Sequence, residues 1–107
     1  MITEMIFLDR DNENELLVEL DGAAADFSGV IRMTLAFEGS GVMIDSAINP
    51  ELISWTADGH ISLRLGALAI EPSKYFGTLV AFDPIHDDGQ VIFHAAEARV
   101  EFWFVPA

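Results

Sequence analysis

The chain contains no cysteine. This absence excludes disulfides, thiolate metal sites and cysteine nucleophiles. Small secreted domains often depend on disulfides, so the composition favours a reducing compartment. Residues 1–9 lack the basic segment of a secretory signal, and no apolar run approaches the ~20 residues that a membrane helix needs. We therefore expect neither a signal peptide nor a transmembrane segment.

Positive charge is scarce. The chain has 5 Lys and Arg residues against 18 Asp and Glu residues, for a formal net charge of −13. Such a field repels phosphate backbones and anionic lipid surfaces, so we expect no nucleic-acid partner and no membrane partner. The same charge helps to keep a chain that is 51% hydrophobic in solution.

Motifs for catalysis and nucleotide binding are also missing from the sequence. It has no G-x-S-x-G element, no G-x-x-x-x-G-K-[ST] loop and no G-x-G-x-x-G turn. The three histidines, His60, His86 and His94, stand in unrelated contexts. We predict that the protein is not an enzyme and that it carries no cofactor.

Apolar residues recur with a period of two, which is the period of β-strands. Ile31, Met33, Leu35 and Phe37 should share one face of a strand over residues 30–37. Residues 75–82 are apolar on both faces, which predicts a central strand covered on both sides.

Turn signals separate these segments at intervals of about ten residues. Residues 38–41, Glu-Gly-Ser-Gly, and the pair Asp58-Gly59 predict two hairpins. About eight or nine short strands then predict an all-β fold, an antiparallel sandwich that is immunoglobulin-like or jelly-roll-like. A length of 107 residues fits one domain, which we place at residues 1–107.

Four aromatic residues are candidates for a protein interface, because a sandwich of this size has difficulty burying every large ring. They are Trp55, Phe102, Trp103 and Phe104. Phe102 and Phe104 should share one face of the last strand, while Trp103 points to the other. The pattern leaves open whether Trp103 belongs to the core or to an interface.

Two acidic segments are candidates for metal binding. The candidate ligands are Asp9, Asp11 and Glu13 in the first segment and Asp83, His86, Asp87 and Asp88 in the second. The first resembles the start of a calcium loop, although it lacks the glycine of the sharp turn. The second combines imidazole and carboxylates, which suit zinc or manganese. A solvated turn is the simpler interpretation of both.

Three stretches resemble the small β-sandwich domains of phage tails, similar to the N-terminal domain of phage baseplate upper proteins. They are a D-F-S-G turn with its following strand at residues 26–33, a D-G-H-I hairpin at 58–63, and a return strand at 71–79. Ser73 departs from the glycine that is frequent in that family. The resemblance implies a domain that forms oligomers, docks adhesins or spikes onto the virion and has no catalytic residues.

These observations predict a structural or attachment protein of a phage or prophage virion. It would self-associate and bind other virion structural proteins, in the virion or in the host cytoplasm during assembly. The binding mechanism would be burial of an apolar strand face together with pairing at an exposed strand edge. The alternative is a calcium- or carbohydrate-binding sandwich module, and a third class is a small cupin-like enzyme.

Overall fold

The computed structural model describes residues 1–106, and nearly all of their regular structure is β. None of these residues belongs to a helix that is long and apolar enough to cross a membrane. The elements are β1 (Ile2–Leu8), β2 (Asn14–Leu17), β3 (Glu19–Leu20), β4 (Ala23–Ala24), β5 (Arg32–Phe37), β6 (Val42–Asp45), β7 (Ile53–Trp55), β8 (His60–Leu63), β9 (Ser73–Phe82), β10 (Gln90–Phe93), a 3₁₀ turn (Ala95–Glu97) and β11 (Val100–Pro106).

A large sheet forms one layer, with strand order β1–β11–β9–β5–β6 and with β10 also paired to β9. Strand β9 is central. One of its edges pairs with β5, and the other pairs with β11 along its first half and β10 along its second half. The predicted central strand is therefore confirmed, but a second layer covers it on one side only. Leu79 and Ala81 are buried on that side, while Val80 and Phe82 on the other are half-exposed.

The first and last strands pair in parallel, from Ile2 opposite Val100 to Leu8 opposite Pro106. The other pairs of the large sheet are antiparallel. This parallel pair joins segments almost a whole chain apart, so no local turn signal could have predicted it.

The second layer is a smaller sheet with strand order β2–β8–β7. The predicted hairpin at Asp58-Gly59 joins β7 to β8. Strand alternation turns Ile53, Ile61 and Leu63 toward the large sheet, where they are buried. Strands β3 and β4 form a short separate ribbon. Two packed sheets with a shared apolar interior make the fold an all-β sandwich, as the sequence predicted.

Three phenylalanine rings lie at the centre of the core. Phe37 from β5 meets Phe102 and Phe104 from β11 edge to face, with both pairs of ring centroids 5.2 Å apart. Gly77 of β9 lies against the Phe102 ring, and a Cβ at that position would come within 2.6 Å of it. The absence of a side chain at residue 77 thus makes room for the aromatic core.

One detail of the predicted alternation is wrong. Ile31 was expected on the inward face with Met33, but it is 71% exposed. Strand β5 begins only at Arg32, so the two-residue period does not extend back to residue 31.

Candidate docking surface

The side of the large sheet that faces away from the core, which we call the outer face, is defined by strand alternation. In β11, Val100, Phe102 and Phe104 are buried, whereas Glu101, Trp103 and Val105 face outward. The strand register sets Met5 and Lys74 on either side of Trp103. Three strands therefore meet around the Trp103 ring.

Large apolar side chains are exposed on this outer face. Met5 is 41% exposed, Phe7 44% and Met43 57%. We use the name apolar patch for Met5 and Phe7 together with the half-buried apolar residues beside them, Phe76, Trp103 and Val105, whereas Met43 lies apart from them on β6. Grouped apolar exposure of this kind marks an interaction site, whereas scattered exposed apolar residues are ordinary.

The charges of the outer face cancel. Its strand residues include Arg32 and Lys74, which are positive, and Asp45 and Glu101, which are negative. Glu38, in the turn after β5, lies at the rim. In a chain of net charge −13, the acidic groups are thus concentrated on the rest of the surface.

Arg32 and Asp45 form a bidentate ion pair at the far end of the outer face from Trp103. The Arg32 Nη2 atom lies 2.6 Å from Asp45 Oδ2, and Nε lies 3.0 Å from Oδ1. The hydrogen bond from Arg32, together with one from the Ala47 amide, lowers the pKa of Asp45. The Arg32 guanidinium also lies 4.6 Å from the centroid of the Phe82 ring. The pair is held from several sides and presents little net charge to a partner.

Lys74 lies over Trp103, with its Nζ 4.6 Å from the ring centroid. This is a cation–π distance, and the interaction holds the ammonium at the edge of the patch. Across the neighbouring pair of β1 with β11, Glu101 accepts a hydrogen bond of 3.4 Å from the Thr3 hydroxyl. A positive and a negative group therefore flank the aromatic centre of the patch.

The free edge of β1 is closed over part of its length. The Asn12 side chain accepts a hydrogen bond from the Phe7 amide (3.0 Å) and donates one to the Phe7 carbonyl (2.6 Å). Asn14 donates to the Met5 carbonyl at 3.2 Å. These amide side chains take the place of a neighbouring strand. This part of the β1 edge is therefore not free to pair with another strand.

The structure corrects two of the four aromatic interface candidates. Phe102 and Phe104 are fully buried in the core because they occupy the inward positions of β11. Trp103 lies at the centre of the apolar patch. Trp55, at the end of β7, packs partly against the core and borders a cleft of about 310 Å³ on the small sheet.

The same cleft contains a histidine between two carboxylates. His60 Nδ1 lies 2.9 Å from Asp58 Oδ1, and Nε2 lies 3.7 Å from Glu15 Oε1. The hydrogen bond to Asp58 raises the pKa of His60. Hydrogen bonds from Thr56, which contributes most, and from His60 lower the pKa of Asp58 to about 2. The Asp58–His60 contact lies within the predicted hairpin, whereas Glu15 reaches His60 only because β2 pairs with β8, for which the sequence gave no sign.

The second predicted metal segment is a capped turn. Asp83 Oδ1 accepts hydrogen bonds from the amides of Ile85 (2.9 Å) and His86 (2.7 Å) and lies 3.0 Å from His86 Nδ1. The backbone hydrogen bond from His86 is the main cause of the lowered pKa of Asp83. Asp87 and Asp88 are exposed and do not complete a ligand set.

The first predicted metal segment is used in loop packing. The Asp9 amide donates to the Gly66 carbonyl at 2.7 Å. Glu13 accepts from Ser62 at 3.2 Å and lies 3.7 Å from Arg64. Asp11 is exposed. Over residues 1–106 no three His, Asp or Glu side chains converge to hold a metal ion, so neither predicted metal cluster is assembled.

One carboxyl group lies in an environment that the sequence did not reveal. Glu4 points to the inward side of β1, opposite Phe102 in the strand register. Burial raises the pKa of Glu4, and a hydrogen bond with Asn14 partly opposes that shift. The alternation of β1 could have shown that Glu4 faces inward, although it could not have shown how deeply.

No family model, curated protein or solved structure matches the chain. The resemblance to phage tail domains therefore rests on the three sequence stretches alone.

Proposed function

We propose that this chain is a non-catalytic structural protein that docks onto other protein surfaces through the apolar patch. The observation that carries the proposal is the exposure of Met5 and Phe7 on one sheet face beside Trp103. Large aromatic residues near the centre of a contact and polar groups at its rim are typical of energetically important interfaces.

The sequence resemblance to phage tail domains indicates the kind of assembly in which the protein would act. In that setting the protein is a virion component of a tail, baseplate or fibre-adjacent assembly, and its partners are other structural proteins. A rigid sandwich with an exposed apolar face suits such a role because it presents a preformed contact surface.

The test is pairwise binding between the purified chain and the products of neighbouring genes. Phe7→Glu introduces a charge into the patch, and Leu17→Glu is the matched control because Leu17 is 43% exposed on the other sheet. We expect Phe7→Glu to weaken binding at least about tenfold and Leu17→Glu to leave it unchanged. Equal effects of the two variants, or a wild-type chain that binds neither a neighbouring gene product nor itself, would overturn the proposal.

One observation favours carbohydrate binding as a second candidate function. The cleft beside Trp55 combines an aromatic side chain with the polar groups of Asp58, His60 and Ser62. Sugar sites use the same combination of an apolar ring face and hydrogen-bonding groups. Titration with a panel of oligosaccharides, followed by calorimetry, tests this function. A heat signal that disappears in Trp55→Ala supports it, and no signal with any sugar excludes it for that panel.

A further inference from the structure

The outer face has the properties of a surface that packs against itself. We infer that the outer face of the large sheet binds the same face of a second copy of this chain, forming a two-fold symmetric dimer. This inference rests on the proposed docking function, and it names the occupant of the apolar patch.

The charge of the outer face favours a contact between two copies of the chain. In a two-fold contact each surface meets its own copy, so a face with a net charge repels itself. The strand residues of the outer face carry two positive and two negative groups. Only two of the 18 acidic residues therefore lie in the strands of this face. A cationic protein partner would be recognised by acidic groups, whereas a second copy requires a neutral face.

The outer face also has the area that such a contact requires. Five strands of about seven residues on average, at a spacing of about 4.8 Å and roughly 3.3 Å per residue, give a projected area of roughly 550 Å². This area is stepped, because β1 and β11 lie along the first half of β9 and β5 and β6 along its second half. Side-chain relief raises its accessible area above this projected value. Standard interfaces bury about 800 Å² per partner, so the whole face is comparable with what a stable dimer uses.

The charged residues around Trp103 are arranged in a way that suits a two-fold contact. Lys74 and Glu101 occupy diagonal positions on adjacent strands, because Trp103 pairs with Lys74 while Glu101 pairs with Phe76. A two-fold axis lying between the faces can place Lys74 of one copy opposite Glu101 of the other. The same axis brings the two Trp103 rings close to each other. The two charged groups then pair across the contact, while the apolar patch is buried between them.

The first experiment measures mass as a function of concentration by sedimentation equilibrium. We expect the wild-type chain to show a reversible monomer–dimer equilibrium, Phe7→Glu to be monomeric, and Leu17→Glu to dimerise like the wild type. Circular dichroism and thermal melting of each variant check that it is folded. Met5→Glu is a second patch variant for the case in which Phe7→Glu does not fold.

The second experiment tests the symmetric arrangement by charge reversal. Lys74→Glu and Glu101→Lys each place like charges opposite one another, so each variant alone should dimerise at least about tenfold more weakly. A mixture of the two variants restores opposite charges at both contacts and should recover dimerisation. Contacts within a single chain are the same before and after mixing, so recovery reports only on the contact between copies.

The outcomes separate this inference from the proposed function. A wild-type chain that stays monomeric at the highest concentration reached overturns the dimer, as does a dimer that is sensitive to Leu17→Glu but not to Phe7→Glu. If the chain is monomeric while Phe7→Glu still abolishes binding to a neighbouring gene product, the proposed docking function stands. The inference that a second copy of the chain covers the apolar patch is then wrong. A wild-type chain that stays monomeric and binds no neighbouring gene product overturns both the dimer and the proposed docking function. A patch-dependent dimer that mixing does not restore refutes the pairing of Lys74 with Glu101.

Discussion

Replacing Phe37 by alanine tests whether the aromatic centre holds the two sheets together. The ring is only 1% exposed and makes edge-to-face contacts with Phe102 and Phe104 at 5.2 Å. Truncation of a buried phenylalanine costs about 3–5 kcal/mol. Each aromatic pair contributes about 0.5–1.5 kcal/mol beyond buried area. We therefore expect Phe37→Ala to lower the free energy of unfolding by about 5 kcal/mol, a large part of the roughly 5–15 kcal/mol that stabilises a typical domain.

Urea unfolding followed by circular dichroism measures this change. Phe7→Ala is the matched control, because it removes the same ring from a position that is 44% exposed. We expect the control to change the free energy of unfolding by less than about 1 kcal/mol. Both variants should be measured at a concentration where the chain is monomeric. A loss below about 2 kcal/mol for Phe37→Ala, or similar losses in the two variants, would refute the assignment of the core.

Three further predictions concern Gly66, His60 and Asp58. Gly66→Ala should destabilise the fold by about 1–3 kcal/mol, because the new Cβ would lie 1.9 Å from the Arg10 carbonyl oxygen. Gly29→Ala is the control, because a Cβ at that position would have no atom within 4 Å. Equal melting temperatures of the two variants would contradict the close packing at Gly66. The raised pKa of His60 means that protonation stabilises the fold below about pH 6.5 and that this contribution is lost as the pH rises through the folded-state pKa. The melting-temperature difference between wild type and His60→Gln should therefore shrink from pH 5.5 to pH 8.5, and a constant difference would contradict the charged contact. Below about pH 4 the stabilisation from Asp58, whose pKa is about 2, should in turn be lost as the pH falls.

Local chemistry made the hairpins and the central strand predictable. Gly39, Gly41 and Gly59 adopt positive φ angles of 86°, 74° and 90°, which glycine tolerates and other residues avoid. The turn signals therefore located the β5–β6 and β7–β8 connections. The long apolar run at 75–82 likewise predicted β9, because a central strand carries apolar residues on both faces.

Features that depend on long-range pairing were not predictable in the same way. The contact of β1 with β11 decides which side chains surround Trp103, and the sequence contains no local signal for it. Alternation did separate Trp103 from Phe102 and Phe104, so their burial in the core was available from the sequence. Sequence spacing alone could not show that Asp87 and Asp88 point into solvent, since loop direction depends on the turn that Asp83 caps.

The parallel pairing of β1 with β11 also determines how the protein responds to force. Residue 2 lies at one end of this pair and residue 106 at the other. Tension applied between the two chain ends would therefore pull the strands along one another, loading the ladder hydrogen bonds together instead of opening them one by one. We therefore expect the domain to resist stretching when it is pulled between residues 2 and 106.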